Sequence, residues 1–220
     1  AVDQFAQPGD YLLSRDMLRD TLYPLNASAV SAVPAAALAI LTGGMFGFVA
    51  ARFSTPTRFA IRWAVGVLAA IPALLLAILL IGLTTRGYAV LAAGLAASPL
   101  AFVRAFDRAR ESTNSVHSEY ARATGLAPSA LLRRDLAYEV RDTLLSTAAR
   151  ALAAVTIILS TVSFLGFGAV PPHRDLGLMI AAAKPVYIQA WWTAAFPALA
   201  LLVLILCARL AAGLEEGERA

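Results

Sequence analysis

The sequence of 220 residues holds one lysine, one cysteine and two histidines, and each scarcity excludes a kind of chemistry. Loops that cradle the phosphates of ATP put a lysine after a Gly-rich turn. The lone lysine, Lys184, is followed by Pro185, so this chain hydrolyses no nucleotide in that way. Cys207 has no partner for an internal disulfide. His117 and His173 fall in separate loops that the charge pattern places on opposite sides, so they share no metal. No Ser-His-Asp or Cys-His assembly is evident, and both histidines read as solvated loop residues. No catalytic, metal or cofactor residue is expected. Within the long apolar blocks there is also no Asp or Glu. Carriers driven by protons or sodium keep ionisable groups in mid-membrane, so their absence argues that driving energy enters through a partner.

What the chain has in excess is apolar surface. Hydrophobic residues make up 60% of it, against about 45–50% in soluble domains. They come in blocks at 28–51, 59–84, 143–168 and 189–212, with a shorter one at 88–106 that contains Pro99. About 20 apolar residues cross the hydrocarbon core as a helix, and backbone in lipid must satisfy its own hydrogen bonds. The period-2 alternation of a membrane barrel is missing. The pattern predicts an all-α integral membrane protein with five spans. The first 27 residues carry Asp3, Asp10, Arg15, Asp16, Arg19 and Asp20 without a continuous apolar core, so no signal peptide is visible there.

Charge orients the spans. Loops 52–58, 104–142 and 209–220 hold eleven arginines, while 1–27, 85–87 and 169–188 hold five basic residues. Short cytoplasmic loops are rich in Arg and Lys, which predicts the first set inside. The chain then divides into an extracytoplasmic segment 1–27, a transmembrane domain 28–213 with a cytoplasmic loop 104–142, and a cytoplasmic tail 214–220. The net charge of +4 is accounted for by this orientation and does not indicate nucleic-acid binding.

Loop 104–142 is the longest polar segment. It reads as two short helices, about 107–124 and 128–140, with Gly125 at the turn and Pro128 in the first turn of the second. Such a hairpin offers a stiff knob to a soluble partner; an ordinary charged amphipathic hairpin has the same composition. Gly43, Gly44 and Gly47, and the small residues around Gly94 and Ser98, permit close helix approach. Pro34, Pro72, Pro99 and Pro197 each fall within a span. Thr42, Ser98, Thr156, Ser160 and Thr161 are polar candidates for a pathway, although such side chains also bond to their own helix backbone.

Three motifs carry a resemblance. Glu119-Tyr120-Ala121-Arg122-Ala123-Thr124-Gly125 resembles the Glu-Ala-Ala-x-x-x-Gly motif of ABC-importer permeases, with Tyr120 in place of the first Ala. Ser163-Phe164-Leu165-Gly166-Phe167-Gly168-Ala169-Val170-Pro171-Pro172 resembles the outer-loop signature of the dipeptide/oligopeptide/nickel group of these permeases. Near the start, Gly9, Leu13, Arg15-Asp16, Leu18 and Leu22-Tyr23 resemble the segment that precedes the second span of that group. The matches lie in family order and cover nearly the whole chain.

The resemblance implies a type I ABC-importer permease fold, of which the family's first helix is not represented in these residues. It implies that Glu119, Tyr120, Ala121, Gly125, Leu126, Ala127, Pro128 and Leu131 dock on an ATPase subunit. It implies as partners a second homologous permease, two ATPase subunits, an extracytoplasmic solute-binding protein and membrane lipid. The setting is the bacterial cytoplasmic (inner) membrane, crossed several times. Rival readings are a secondary carrier subunit, which would need an intramembrane charge, and a membrane scaffold, which would not need these motifs in this order.

Overall fold

The computed structural model describes residues 14–84, 88–113, 128–168 and 174–217, all of which lie in helices or their connections. Helix α1, Ser14–Ala39, passes through Pro24 and Pro34 and continues by a π-helical turn, Ile40–Gly44, into α2, Met45–Ala50. Thr55–Ala69 forms α3 and Ala73–Leu83 forms α4. Then come α5, Ala89–Thr113, and α6, Pro128–Phe164. The short α7, Leu176–Ala182, and a 3-10 turn, Lys184–Val186, lead to α8, Trp192–Gly217.

Four stretches are long and apolar enough to cross a membrane: Thr21–Ala50, Ala89–Glu111, Thr143–Phe164 and Trp192–Ala211. They fall on four of the five expected blocks. The remaining block, 59–84, is helical but broken. Its two helices, α3 and α4, meet at 80°, so a fifth span is counted only if the pair is taken together. Pro72 sits at the break as the residue that begins α4. It has no N–H to continue the preceding helix and it pushes the residue before it out of the helical region. By contrast Pro34, Pro99 and Pro197 stay inside unbroken helices.

The interior is built from small side chains. The main core consists chiefly of alanines from α1, α4, α5 and α6, including Ala35, Ala39, Ala77, Ala93, Ala97 and Ala151, joined by Ile81, Val155 and Val162. Large apolar side chains such as Leu41, Leu75, Leu79, Leu202 and Leu206 point outward. A soluble domain is arranged the other way round. In lipid, exposed leucine has no solvent to avoid, and helices associate where small residues let backbones approach. Gly43 and Gly47 show such an approach. A Cβ on either would collide with a backbone carbonyl of α5, that of Ser98 or that of Phe102.

Helix α5 is the hub. Of its apolar window 61% is buried, against 11% for α8, which lies at the edge of the bundle. A second cluster, Phe48, Ala50, Ala51, Phe102, Phe106 and Ala109, joins α2 to the far half of α5, and Ile61 and Val65 of α3 lean on it. The two helices expected within loop 104–142 are continuous with their spans in the described residues. Helix α5 runs unbroken to Thr113, and the segment 128–140 is the start of the 37-residue α6. No Gly or Pro lies between Ser129 and Leu165, so nothing in that stretch stops the helix.

Candidate functional site: the outer cap and the inner stalk

At one end of the bundle α6 stops at Phe164, where the outer-loop motif begins. Gly166 has φ of +87°, the left-handed region where a Cβ is strained. Around it the Phe167 N–H donates to the Val162 carbonyl at 3.0 Å, and the Gly166 N–H to the Ser163 carbonyl at 3.0 Å. This paired closure is the Schellman arrangement that satisfies the last carbonyls of a helix. Lys184 adds to it. Its ammonium donates to the Phe164 carbonyl at 3.4 Å and stands 3.9 Å from the centre of the Phe164 ring. A cation is favoured at a helix C-terminus and over an aromatic face.

The same motif reaches across to α7. The Ser163 hydroxyl donates to one carboxylate oxygen of Asp175. The other oxygen accepts from the Leu178 N–H at 2.7 Å, which makes Asp175 the N-cap of α7. The next residue, Leu176, is buried, and its N–H donates to Ser28 Oγ of α1 at 3.0 Å. Gly177 brings the α7 backbone onto α6, since a Cβ there would strike the Ser160 carbonyl. Gly168 folds back over Ser163 in the same manner. Thus Ser163, Phe164, Gly166 and Gly168 of the motif meet in one cap joining α1, α6 and α7. Leu165 is exposed beside it. Pro171 and Pro172 lie outside the described residues.

Sequence reading missed Ser28, Asp175 and Lys184 in this cap. An Asp just before the apolar run 176–182 is a recognisable helix start. Nothing in the sequence marks Ser28, whose partner is remote in the chain.

At the other end, α5 and α6 carry the candidate coupling segment between them. Glu119, Tyr120, Ala121, Gly125, Leu126 and Ala127 lie outside the described residues. Pro128 and Leu131 fall on the first turns of α6, of which the backbone alone is described. Nearby, Arg62 of α3 holds Asp107 of α5 with two hydrogen bonds of 3.2 and 3.1 Å. Arg104 and Arg150 line a small crevice between α5 and α6 together with Ala97, Ala101, Thr147 and Ala151. Four of the five polar pathway candidates bond to their own helix: Thr42 to Leu38, Ser98 to Leu95, Thr156 to Leu152 and Thr161 to Ile157, all within 2.8 Å. Among the described residues no group of His, Cys, Asp or Glu is placed to hold a metal ion.

Comparison with known proteins now bears on this geometry. Residues 43–215 match the family described as the binding-protein-dependent transport system inner membrane component. The chain belongs to this family. It is therefore a multi-pass inner-membrane protein of a transport system, in a family of transport components and not of enzymes. Among its relatives is the Di/tripeptide transport system permease protein DppC of Pseudomonas aeruginosa, 25% identical over 90% of this chain and 66% of its own length. The Oligopeptide transport system permease protein OppC of Mycobacterium tuberculosis is 25% identical over 92% of this chain and 71% of its own. The Peptide transport system permease protein SapC of Escherichia coli is 26% identical over 98% and 74%. The chain spans about two thirds of the length of the first of these curated relatives. The match to the family takes in the α6 and α7 parts of the outer cap and the stretch between α5 and α6.

Proposed function

We propose that this chain is a permease subunit of an ABC importer, that it forms half of a translocation pathway for peptides or similar small solutes, and that it couples to ATPase subunits through the segment between α5 and α6. The pathway then lies between this chain and a related permease. Two ATPase subunits bind on the Arg-rich side, and a solute-binding protein delivers cargo on the other.

The shape of α6 supports the coupling role. Its apolar part is Thr143–Phe164, yet the helix begins at Pro128. At 1.5 Å per residue, the polar part 128–142 projects about 22 Å beyond the span. A continuous helix of that length is a stiff lever between a site outside the membrane and the outer cap at Ser163. The peptide class of solute rests on the names of the relatives.

The test is reconstitution. Co-expressed with ATPase subunits and a second permease of a peptide importer from the same source, the chain should purify as one complex. In proteoliposomes that complex should take up labelled di- or oligopeptide only with ATP inside and binding protein outside. Uptake that continues without any ATPase would point to a secondary carrier. A chain that purifies free of ATPase and permease would point to a scaffold.

A further inference from the structure

Helix α3 is turned inside out relative to its surroundings. None of its residues is buried. From Phe59 onward the exposed positions are Phe59, Ala60, Trp63, Ala64, Val67, Leu68 and the C-cap Ala70, without one polar side chain. Phe59 is 72% and Trp63 67% exposed. Its two arginines, Arg58 and Arg62, are only half-exposed, and Arg62 turns to Asp107 on α5. Phe59, Arg62, Trp63, Gly66, Val67 and Ala70 line a shallow, mostly apolar groove of about 420 Å³. The opposite face, through Ile61 and Val65, leans on the cluster that joins α2 to α5.

Position within the bundle identifies what meets the outer face. Helix α5 enters its apolar window at Ala89. The residues that Arg62 of α3 touches, Phe106 and Asp107, lie roughly 25–27 Å farther along that helix at 1.5 Å per residue. That is the far boundary of a hydrocarbon core about 30 Å thick. Charge begins there, with Arg104, Asp107, Arg108 and Arg110. Helix α3 departs at 80° from α4. Leu75, Leu79 and Leu83 of α4 point outward as well, as lipid-facing side chains of the bundle do. Tryptophan is favoured at this depth, as are arginines near headgroups.

We infer that α3 is not part of a span but lies in the plane of the membrane, on the Arg-rich side, with Phe59, Trp63 and Val67 set into the headgroup–acyl boundary of the lipid. The helix anchors that end of α5 to the bilayer surface through the Arg62–Asp107 pair. Interfacial helices of this kind bury their apolar face about 5–10 Å into the boundary.

The experiment places a nitroxide label at Phe59→Cys, Trp63→Cys or Val67→Cys, one at a time, in a Cys207→Ser background. The full chain is reconstituted in phosphatidylethanolamine/phosphatidylglycerol vesicles, alone and within the complex with its second permease and ATPases. Depth is read from the ratio of collisions with oxygen and with a water-soluble nickel chelate. All three positions are exposed, so the substitutions leave the packing intact. The in-plane helix predicts high oxygen access and one common depth, within a helical pitch of about 5 Å, near the boundary at every site. A helix running across the bilayer would instead spread the depths of 59 and 67 by about 12 Å. Low access to both reagents at all three sites in the complex would show that another protein covers the face. Either of the last two results overturns the assignment.

Discussion

Ser163 and Asp175, twelve residues apart in the chain, are joined by a hydrogen bond from the serine hydroxyl to the carboxylate that caps α7. One residue lies in the last turn of α6 and the other caps the start of α7. The two residues have separable roles. Asp175→Ala removes the cap and the acceptor together, and should cost about 1–2 kcal/mol, the usual range for a lost N-cap. Ser163→Ala keeps the cap and removes one hydrogen bond to a charged group, about 1.5–3 kcal/mol at most and less if water takes its place. Thermal unfolding of the purified chain in detergent should show both variants less stable, with Asp175→Asn between wild type and Asp175→Ala. An Asp175→Ala chain that unfolds like the parent would show that α7 is held in place without its cap.

Glycine at 177 is a packing requirement, whereas glycine at 82 is not. A Cβ at Gly177 would run into the Ser160 carbonyl, a backbone group that gives way only if α6 and α7 separate. Overpacking of this kind costs typically about 1–3 kcal/mol. At Gly82 nothing lies within 4 Å of such a Cβ, and the residue is inside α4. Gly82→Ala should leave stability unchanged or raise it by up to about 1 kcal/mol, the helix-propensity difference. The same unfolding measurement run on both variants checks the contrast. Equal losses would mean that the close approach of α7 to α6 is not tight.

These two glycines also mark what could be read from sequence. Apolar blocks located the helices well, because each is long enough to cross lipid and must be helical there. The small residues around Gly43, Gly47 and Gly94 were legible as contact points, and each does meet a neighbouring helix. Block 59–84 hid its break, because a hydropathy average is blind to direction. Residues 55–69 and 73–83 are both apolar, and only the 80° turn at Pro72 separates them. Similarly, loop 104–142 read as a hairpin because its charges differ from those of the spans. Polarity says nothing about where a helix ends, and α6 continues through the change. In the outer cap the motif that holds Ser163 and Gly166 was legible as a resemblance. The bond from Leu176 to Ser28 was not, since it depends on how α1 crosses α6 and α7.

Orientation can be checked at positions chosen from the structure. Asp175 is unsuitable for labelling because it holds the cap. Ile188, 84% exposed in the turn before α8, carries no such duty. In a Cys207→Ser background, Ile188→Cys should react with a membrane-impermeant maleimide in intact cells with a permeabilised outer envelope. Ser129→Cys, on the projecting start of α6, should react only after the inner membrane is opened. Reversed labelling would place the stalk outside, and would remove it from the reach of any ATPase.

The coupling segment itself gives the most demanding prediction. Helix α5 ends at Thr113 and α6 begins at Pro128, so the motif from Glu119 to Gly125 lies between two helices that are each continuous with a span. Force applied there would pass along α6 to Phe164, whose carbonyl Lys184 holds, and to Ser163, which Asp175 holds. If Gly125 adopts a positive φ at the turn, a β-branched residue is strongly disfavoured at that position. Gly125→Val should therefore leave membrane insertion and thermal stability of the spans unchanged while reducing pull-down of the ATPase, peptide-stimulated hydrolysis and uptake together. Glu119→Ala should act in the same direction but less, because an exposed charge contributes little. His173→Ala, in the loop on the other side, should leave ATPase capture at the parental level. Capture and uptake measured side by side separate two failures. Loss of both places the motif at the docking surface. Normal capture with lost uptake would move its role from docking to transmission along α6. A Gly125→Val chain that captures ATPase and transports like the parent would remove the coupling role from this segment. The family assignment would stand even so, since the match over residues 43–215 does not depend on that glycine alone.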